Sequence, residues 1–124
     1  MEFNYDNEEK LLVMKMTNEI DHHVAEKIRR KADYEIQRYM PKKVLFDLSK
    51  VGFMDSSGIG LIIGRYKMAS IYGATLEIEN ASLRVKKILE MSGILKIISL
   101  KEEDESNEKC IWKWNEIGIF KQVV

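Results

Sequence analysis

Residues 44–73 decide the fold, and they read VLFDLSKVGFMDSSGIGLIIGRYKMASIYG. The first five are an apolar run of strand length, and residues 55–58 are a cluster of cap and turn residues. Behind this cluster, apolar side chains recur every three or four positions, which predicts an amphipathic helix from about Gly58 to Tyr72. That stripe consists of Ile59, Ile62, Ile63, Tyr66 and Ala69. The stretch therefore predicts a buried strand, a tight turn and a helix that stops at Gly73.

The same alternation continues on the N-terminal side. Leu11–Met16 is a short apolar run that predicts a strand, paired with an edge strand near residues 3–5. Asp21 is predicted to cap a helix, because its carboxylate can accept a hydrogen bond from an early N–H group that has no helical partner. The helix ends before Pro41, which cannot continue it. Its apolar stripe consists of Ala25, Ile28, Ala32, Ile36 and Tyr39.

A third unit follows on the C-terminal side. Residues 74–79 alternate between apolar and polar, which is typical of a half-buried strand. Ser82 is predicted to cap a third helix that closes at Gly93, and residues 95–100 are predicted to form another strand. The apolar stripe of this helix consists of Val85, Ile88, Leu89 and Met91. Strands and helices alternate throughout, so we expect an α/β fold with helices covering the sheet.

The chain divides at about residue 100. Residues 1–100 are predicted to form one domain, as the total of 124 residues allows. Residues 101–109 are polar and acidic, which indicates a surface linker. The segment 111–120 carries two tryptophans and fits a closing helix or an edge strand equally well. We expect residues 101–124 to be an acidic linker and a divergent C-terminal element that packs on the same domain.

Composition excludes several classes of protein. Lys plus Arg and Asp plus Glu are 20 each, so the chain has no basic excess with which to bind nucleic acid. The single cysteine, Cys110, excludes an internal disulfide and suits a reducing compartment. No stretch approaches the roughly 18 to 20 apolar residues of a membrane helix, and the N-terminus lacks the pattern of a secretory signal. We therefore expect a cytoplasmic protein with neither nucleic acid nor membrane as partner.

The turn at residues 55–58 allows two interpretations. In the first, Ser56 or Ser57 simply caps the following helix, as serine often does. In the second, the same position accepts a phosphate, because a helix N-terminus offers free N–H groups and the positive end of the dipole. A phosphate beside Asp55 would add about two negative charges to the surface and repel a partner built for the neutral hydroxyl. Residue types alone favour the capping role.

Enzymatic interpretations lack their motifs. The turn does not match the G-x-S-x-G elbow of esterases, and His22 and His23 are neighbours that point in different directions. Asp21-His22-His23 is no metal site by spacing, because helical ligands prefer intervals of three or four. The glycines do not fit a dinucleotide fingerprint, so we interpret Gly60 and Gly64 as a face where a backbone approaches closely, in the first place the domain's own sheet. We expect no catalytic residues, no metal site and no cofactor.

Four segments together carry a resemblance to a known family. They are EIDHHVAE at residues 19–26, FMDSSGIGL at 53–61, IGRYK at 63–67 and MSG at 91–93. In this order and spacing the chain resembles the STAS domains, and the Asp-His-His and Gly-Arg-Tyr-Lys segments favour the anti-sigma-F factor antagonists of sporulation. The resemblance runs from about Leu11 to Ile98, and the region beyond Leu100 departs from it.

The resemblance implies a fold, a partner and a modified residue. The fold is a single STAS-like domain, with a mixed sheet of four to five strands covered by three to four helices. The implied function is that of an anti-sigma factor antagonist. The unphosphorylated form binds an anti-sigma factor serine kinase and releases the sigma factor. The kinase then phosphorylates Ser56 with its own bound ATP, and a PP2C-type phosphatase resets the protein. The partner-binding residues are expected to be Asp21, His22, His23, Asp55, Ser56, Ser57, Gly58 and Gly60.

A rival hypothesis from another class stays open at this point. In it the domain is a scaffold or a nucleotide-sensing module, and Ser56 is only a helix cap. The two hypotheses differ in what Ser56→Ala does. A capping serine would mainly contribute stability, whereas a phosphorylated serine would control the binding of a partner.

Overall fold

The computed structural model describes residues 1–17 and 19–101, together with the backbone of residues 111–114 and 120–123. In residues 1–101, one sheet contains the strands in chain order: β1 (Glu2–Asp6), β2 (Leu11–Lys15), β3 (Lys43–Asp47), β4 (Thr75–Glu79) and β5 (Ser99–Lys101). β1 pairs antiparallel with β2, whereas β2 to β5 are parallel neighbours. The predicted mixed sheet and its N-terminal edge strand are confirmed.

Helices connect the parallel strands: α1 (His22–Tyr39), α2 (Ser56–Ile71) and α3 (Leu83–Ser92). Each begins behind a side chain that accepts a hydrogen bond from the first turn. The capping residues of α1 and α3 are the predicted Asp21 and Ser82. Gly73 and Gly93 follow α2 and α3 with φ values of 78° and 83°, which a residue without a β-carbon adopts without strain.

One face of the sheet and the helices form the core. Side chains that alternate along β2, β3 and β4 point to this face and are at most 3% exposed: Leu12, Met14, Val44, Phe46, Leu76 and Ile78. They belong to one apolar cluster with residues of all three helices. The other face carries charges, among them Glu77, whose carboxylate lies 3.1 Å from Lys43 Nζ and 3.4 Å from Lys101 Nζ. The predicted α/β fold with helices covering the sheet is confirmed.

Two predictions about the third unit are wrong. The segment 95–100 is not one strand: a 3₁₀ helix at Ile94–Lys96 precedes the short β5. The buried residues here are Ile94 and Ile98, and their spacing of four is that of a helical turn. Met91, placed on the apolar stripe of α3, is 84% exposed, because the buried face of that helix is centred on Val85 and Leu89.

The described part of the C-terminal segment contains two short strands. β6 (Ile111–Trp114) and β7 (Phe120–Val123) pair antiparallel as a two-stranded sheet of their own. The described residues of the predicted segment, 111–114 and 120, are therefore strand and not helix. Most of the predicted linker, residues 102–109, lies outside the described residues, and the packing of the C-terminal element on the domain stays a prediction.

Candidate functional site

Two helix starts lie side by side at one edge of the sheet. Ile20, which precedes α1, and Met54, which precedes α2, form an isolated parallel bridge. The Ile20 N–H donates to the Phe53 carbonyl, and the Asp55 N–H donates to the Ile20 carbonyl, each at 3.4 Å. This contact holds residues 21–23 next to the turn at residues 55–58. We call the surface formed by these two segments the helix-start edge.

Ser56 is the first residue of α2, and its side chain is exposed. The residue that caps this helix is Asp55, whose Oδ1 accepts hydrogen bonds from the N–H groups of Ser57 (2.8 Å) and Gly58 (3.4 Å). The helix therefore begins two residues before the predicted Gly58, and the interpretation of a serine as its cap is wrong. Aspartate caps helices as well as serine does, and here it is the residue that has the extended backbone of a cap.

The glycine that allows a close approach is Gly58, against the side chains of Met54 and Ile20, and the predicted approach of a backbone at Gly60 and Gly64 is not observed among the described residues. A β-carbon on Gly58 would lie 2.9 Å from Met54 Cβ and 3.3 Å from Ile20 Cγ2. These distances are shorter than the optimal carbon–carbon separation of about 3.5–4.0 Å. A β-carbon on Gly60 or Gly64 would meet no heavy atom of the described residues within 4 Å. Gly58 therefore keeps the two helix starts in contact, and Gly60 presents open surface.

The other predicted residues of the edge lie at the start of α1. Asp21 Oδ1 accepts a hydrogen bond from the Val24 N–H at 2.9 Å. His22 and His23 are exposed, and their ring centres are 6.0 Å apart in an edge-to-face arrangement. Across residues 1–17 and 19–101, no three His, Cys, Asp or Glu side chains are grouped so that they could hold a metal ion. The segment adds polar surface beside Ser56, and in the described residues it offers no metal centre.

A buried ion pair joins α1 and α2 further along. Its arginine, Arg65, lies about 14 Å from Ser56 along the axis of α2, at a rise of about 1.5 Å per residue. Arg65 Nε lies 2.6 Å from Asp33 Oδ1, and the two side chains are 8% and 17% exposed. Within the described residues this contact lacks hydrogen-bond geometry, and Arg65 Nη1 has no hydrogen-bond partner. Burial raises the pKa of Asp33 and lowers the pKa of Arg65, although each group's charge opposes the shift of the other. Loss of hydration therefore outweighs their attraction.

A pair of carboxylates lies on the charged face of the sheet. Asp47 and Glu79 are partners in the β3–β4 register, and Asp47 Oδ1 accepts a hydrogen bond from the Ser49 N–H at 2.9 Å. Burial raises the pKa of Glu79, and the charge of Asp47 raises it further, against the opposing effect of Lys101 and Lys43. The ionisation of Glu79 therefore ties stability to pH, and this residue is not part of the helix-start edge.

Three residues near the helix-start edge were missed by the sequence analysis. Phe53 is 39% exposed and Leu83 is 86% exposed, and the guanidinium carbon of Arg84 lies 5.2 Å from the centre of the Phe53 ring. A signal existed in the sequence: an apolar residue and a cation follow the Ser82 cap, where the helix dipole disfavours a cation. These residues extend the edge from α2 to the start of α3.

No helix in the described part of the chain combines the length and apolar character needed to cross a membrane.

Comparisons with known proteins agree with the geometry. A family model described as the STAS domain matches residues 2–107. The anti-sigma F factor antagonist of Paenibacillus polymyxa is 30% identical over 104 residues, which cover 84% of this chain and 89% of that protein. The anti-sigma F factor antagonist of Lysinibacillus sphaericus is 33% identical over 84 residues, which cover 67% of this chain and 71% of that protein.

Solved structures give the same result. The unphosphorylated anti-sigma factor antagonist SpoIIAA superposes with a TM-score of 0.70 at 26% identity, covering 86% of this chain and 91% of that one. The phosphorylated form of the Bacillus cell fate determinant SpoIIAA superposes with a TM-score of 0.63 at 25% identity, covering 86% and 95%. The family model spans most of the sequence and the described fold agrees with it, so the chain belongs to the STAS domain family.

Proposed function

We propose that this chain is an anti-sigma factor antagonist controlled by phosphorylation of Ser56. The unphosphorylated form binds an anti-sigma factor serine kinase and thereby releases a sigma factor, and the phosphorylated form does not bind. The observation that carries the proposal is an exposed serine at the first position of a helix that another residue, Asp55, already caps. The similarity to the anti-sigma F factor antagonists of Paenibacillus polymyxa and Lysinibacillus sphaericus supports it.

The position suits a phosphate for physical reasons. The positive end of the α2 dipole faces Ser56, and the first turn of α2 contains no acidic residue. The hydrogen bonds that hold the turn are donated by the Ser57 and Gly58 N–H groups to Asp55 Oδ1, so a modified Ser56 hydroxyl breaks none of them. The fold should therefore survive phosphorylation. The same fact weakens the rival hypothesis, because a serine that caps no helix has no capping role to lose.

Phosphorylation should weaken the binding of a partner much more than it changes the stability of the fold. A phosphate on Ser56 places about two negative charges between the starts of α1 and α2. Leaving a charge unpaired in an interface costs about 2–5 kcal/mol. Since a tenfold change in binding corresponds to about 1.4 kcal/mol, one phosphate is enough to end the interaction.

The remaining components follow from the same proposal. The phosphate comes from ATP bound to the partner kinase, so this chain needs no cofactor and catalyses no reaction itself. A PP2C-type phosphatase removes the phosphate and resets the cycle. The exposed residues of the helix-start edge, Asp21, His22, His23 and Ser56, form the contact with the kinase, together with Gly60 one turn further along α2.

The test is the site of phosphorylation. The purified anti-sigma factor of the same organism and ATP should add one phosphate to the wild type, measured as a mass increase of the intact protein. Ser56→Ala should abolish the addition. Ser57→Ala is the matched control, one residue along the same turn, and should be phosphorylated as the wild type is. Phosphate on Ser57 or on Ser82 would overturn the proposal.

A further inference from the structure

We propose that Phe53, Leu83 and Arg84 form a second contact for the same kinase, which binds a segment that presents a carboxylate beside an apolar side chain. We call these three residues the Arg84 patch. The inference rests on the proposed function, because it names what the partner brings to the surface next to Ser56. It assigns a role to α3, which the argument from Ser56 does not use.

The backbone places Phe53 on the exposed side of the edge. Residues 53–55 run extended beside Ile20, so successive side chains point to opposite sides. Met54 is 1% exposed and points into the core, and Phe53 therefore points outward. Three Cα–Cα steps of about 3.8 Å separate Phe53 from Ser56, so their Cα atoms are within about 11 Å. A partner that covers Ser56 will meet this ring.

Arg84 brings a cation to the ring. Its guanidinium carbon lies 5.2 Å from the centre of the Phe53 ring, within the range of a cation–π contact. Among the described residues, no carboxylate oxygen lies within salt-bridge distance of Arg84. The other described arginines each have such a partner, for example Arg29 with Glu26. Among the described arginines, Arg84 is therefore the one whose guanidinium can form an ion pair with another molecule without breaking one within the domain.

The position of Arg84 gives no benefit to its own helix. Ser82 caps α3, so Arg84 is the second helical residue and faces the positive end of the dipole. Leu83, the first helical residue, is 86% exposed and loses its contact with water only if something covers it. Arg84 and Leu83 are therefore neighbours at a position where neither side chain stabilises the helix. Binding of a partner accounts for both.

Charge decides the chemistry of the occupant. The patch offers the Arg84 cation next to the N-terminal ends of α2 and α3, and each of these favours an approaching anion. The exposed leucine and the half-exposed ring require an apolar neighbour for that anion. Arginine binds carboxylates in a bidentate geometry, so an aspartate or glutamate that follows an apolar residue fits the patch.

Binding of the purified anti-sigma factor with ADP tests the proposal, in the Ser56→Ala background so that no phosphate is transferred. Arg84→Glu should raise the dissociation constant by about 10- to 100-fold, in keeping with a lost charge pair. The matched control is Arg38→Glu. Arg38 also lies over a ring, 4.9 Å from the centre of Tyr39, but at the other end of α1. Arg38→Glu should bind within about twofold of the background.

Folding separates a binding role from a structural one. Glutamate in the first turn of α3 faces the dipole favourably, so Arg84→Glu should melt no lower than the wild type. Phe53→Leu, which keeps the apolar surface but removes the ring, should weaken binding less than Arg84→Glu.

Two results would overturn the proposal. In the first, Arg84→Glu binds the kinase normally while Ser56→Asp binds it more weakly. In the second, Arg84→Glu alters self-association in sedimentation instead of kinase binding. If Ser56→Asp also binds normally, the proposed function itself fails.

Discussion

Two regions between α1 and α2 carry polar and charged groups, and they differ in their access to water. At the helix-start edge Asp21, the two histidines and Ser56 are exposed. The carboxylates of Asp21 and Asp55 accept short hydrogen bonds from backbone N–H groups and hold the backbone there. The Asp33–Arg65 pair is buried between the same helices. A charge added at an exposed helix N-terminus is stabilised by the dipole and by water, whereas a charge removed from a buried pair leaves its partner without compensation. Charge can therefore change at Ser56 without loss of the fold.

The largest expected effect on stability is at the buried pair. Asp33→Ala leaves the Arg65 guanidinium buried without its partner and should lower the free energy of unfolding by about 3 kcal/mol. Urea unfolding followed by circular dichroism measures it. The double variant Asp33→Leu/Arg65→Met should recover most of the loss, because well-packed apolar residues need no hydration.

An exposed pair on the same helix is the control. Glu26 contacts Arg29 and Arg30 in the solvent, and these arginines hold its pKa at about 2. Glu26→Ala should change stability little, since water and salt screen exposed ion pairs. If Asp33→Ala proves as mild as Glu26→Ala, the contrast between the two regions is lost.

Substitution of two glycines of α2 should change the free energy of unfolding by intermediate amounts and in opposite directions. Gly58→Ala forces a β-carbon against Met54 and Ile20 and should lower the free energy of unfolding by about 1–3 kcal/mol. Gly60→Ala meets no described atom within 4 Å and should raise the free energy of unfolding by up to about 1 kcal/mol, because alanine is the better helix former. The same urea experiment compares them, and equal signs would contradict the close approach at Gly58.

The smallest effect depends on pH and concerns Glu79. Because burial raises its pKa in the folded protein above the unfolded value of about 4.5, the folded state binds the proton more tightly. The free energy of unfolding then falls as the pH rises through the folded pKa. Glu79→Gln should therefore be more stable than the wild type at pH 7, with a gain that disappears below pH 4.5.

Thermal unfolding between pH 4 and pH 8 measures the gain. The neighbouring Glu77→Gln is the matched control on the same strand. It removes a charge that contacts Lys43 and Lys101, and it should not stabilise the protein at neutral pH. A gain for Glu79→Gln that is equal at all pH values would contradict the role of its ionisation.

Local signals made much of the fold predictable from the sequence. The helix caps Asp21 and Ser82, and the glycines that end α2 and α3, were predictable because each depends on hydrogen bonds and backbone angles within a few residues. The start of α2 was predicted wrongly because three successive residues, Asp55, Ser56 and Ser57, are all suitable caps. In the structure Asp55 is the cap, directly after the parallel contact between Ile20 and Met54, which joins segments that are far apart in the sequence.

Contacts between elements account for what the sequence did not reveal. Asp33 and Arg65 lie on two helices whose pairing has no local signature, so their ion pair was not predictable. The short apolar run at residues 94–98 is consistent with a strand or with a helical turn. The neighbouring elements decide between them, because a strand buries every second residue and a helical turn buries every fourth. The place of Ser56 was predictable as a helix start, and the identity of its cap was not.

The most direct test of the account compares the Ser56-phosphorylated protein with the unmodified protein in two measurements. We expect free energies of unfolding within about 1 kcal/mol of each other, since the phosphate lies at the positive end of α2. We expect the dissociation constant for the ADP-bound anti-sigma factor to rise at least about 30-fold, which corresponds to about 2 kcal/mol. Phosphorylation that destabilises the fold as strongly as it weakens binding, or that leaves binding unchanged, would contradict the account.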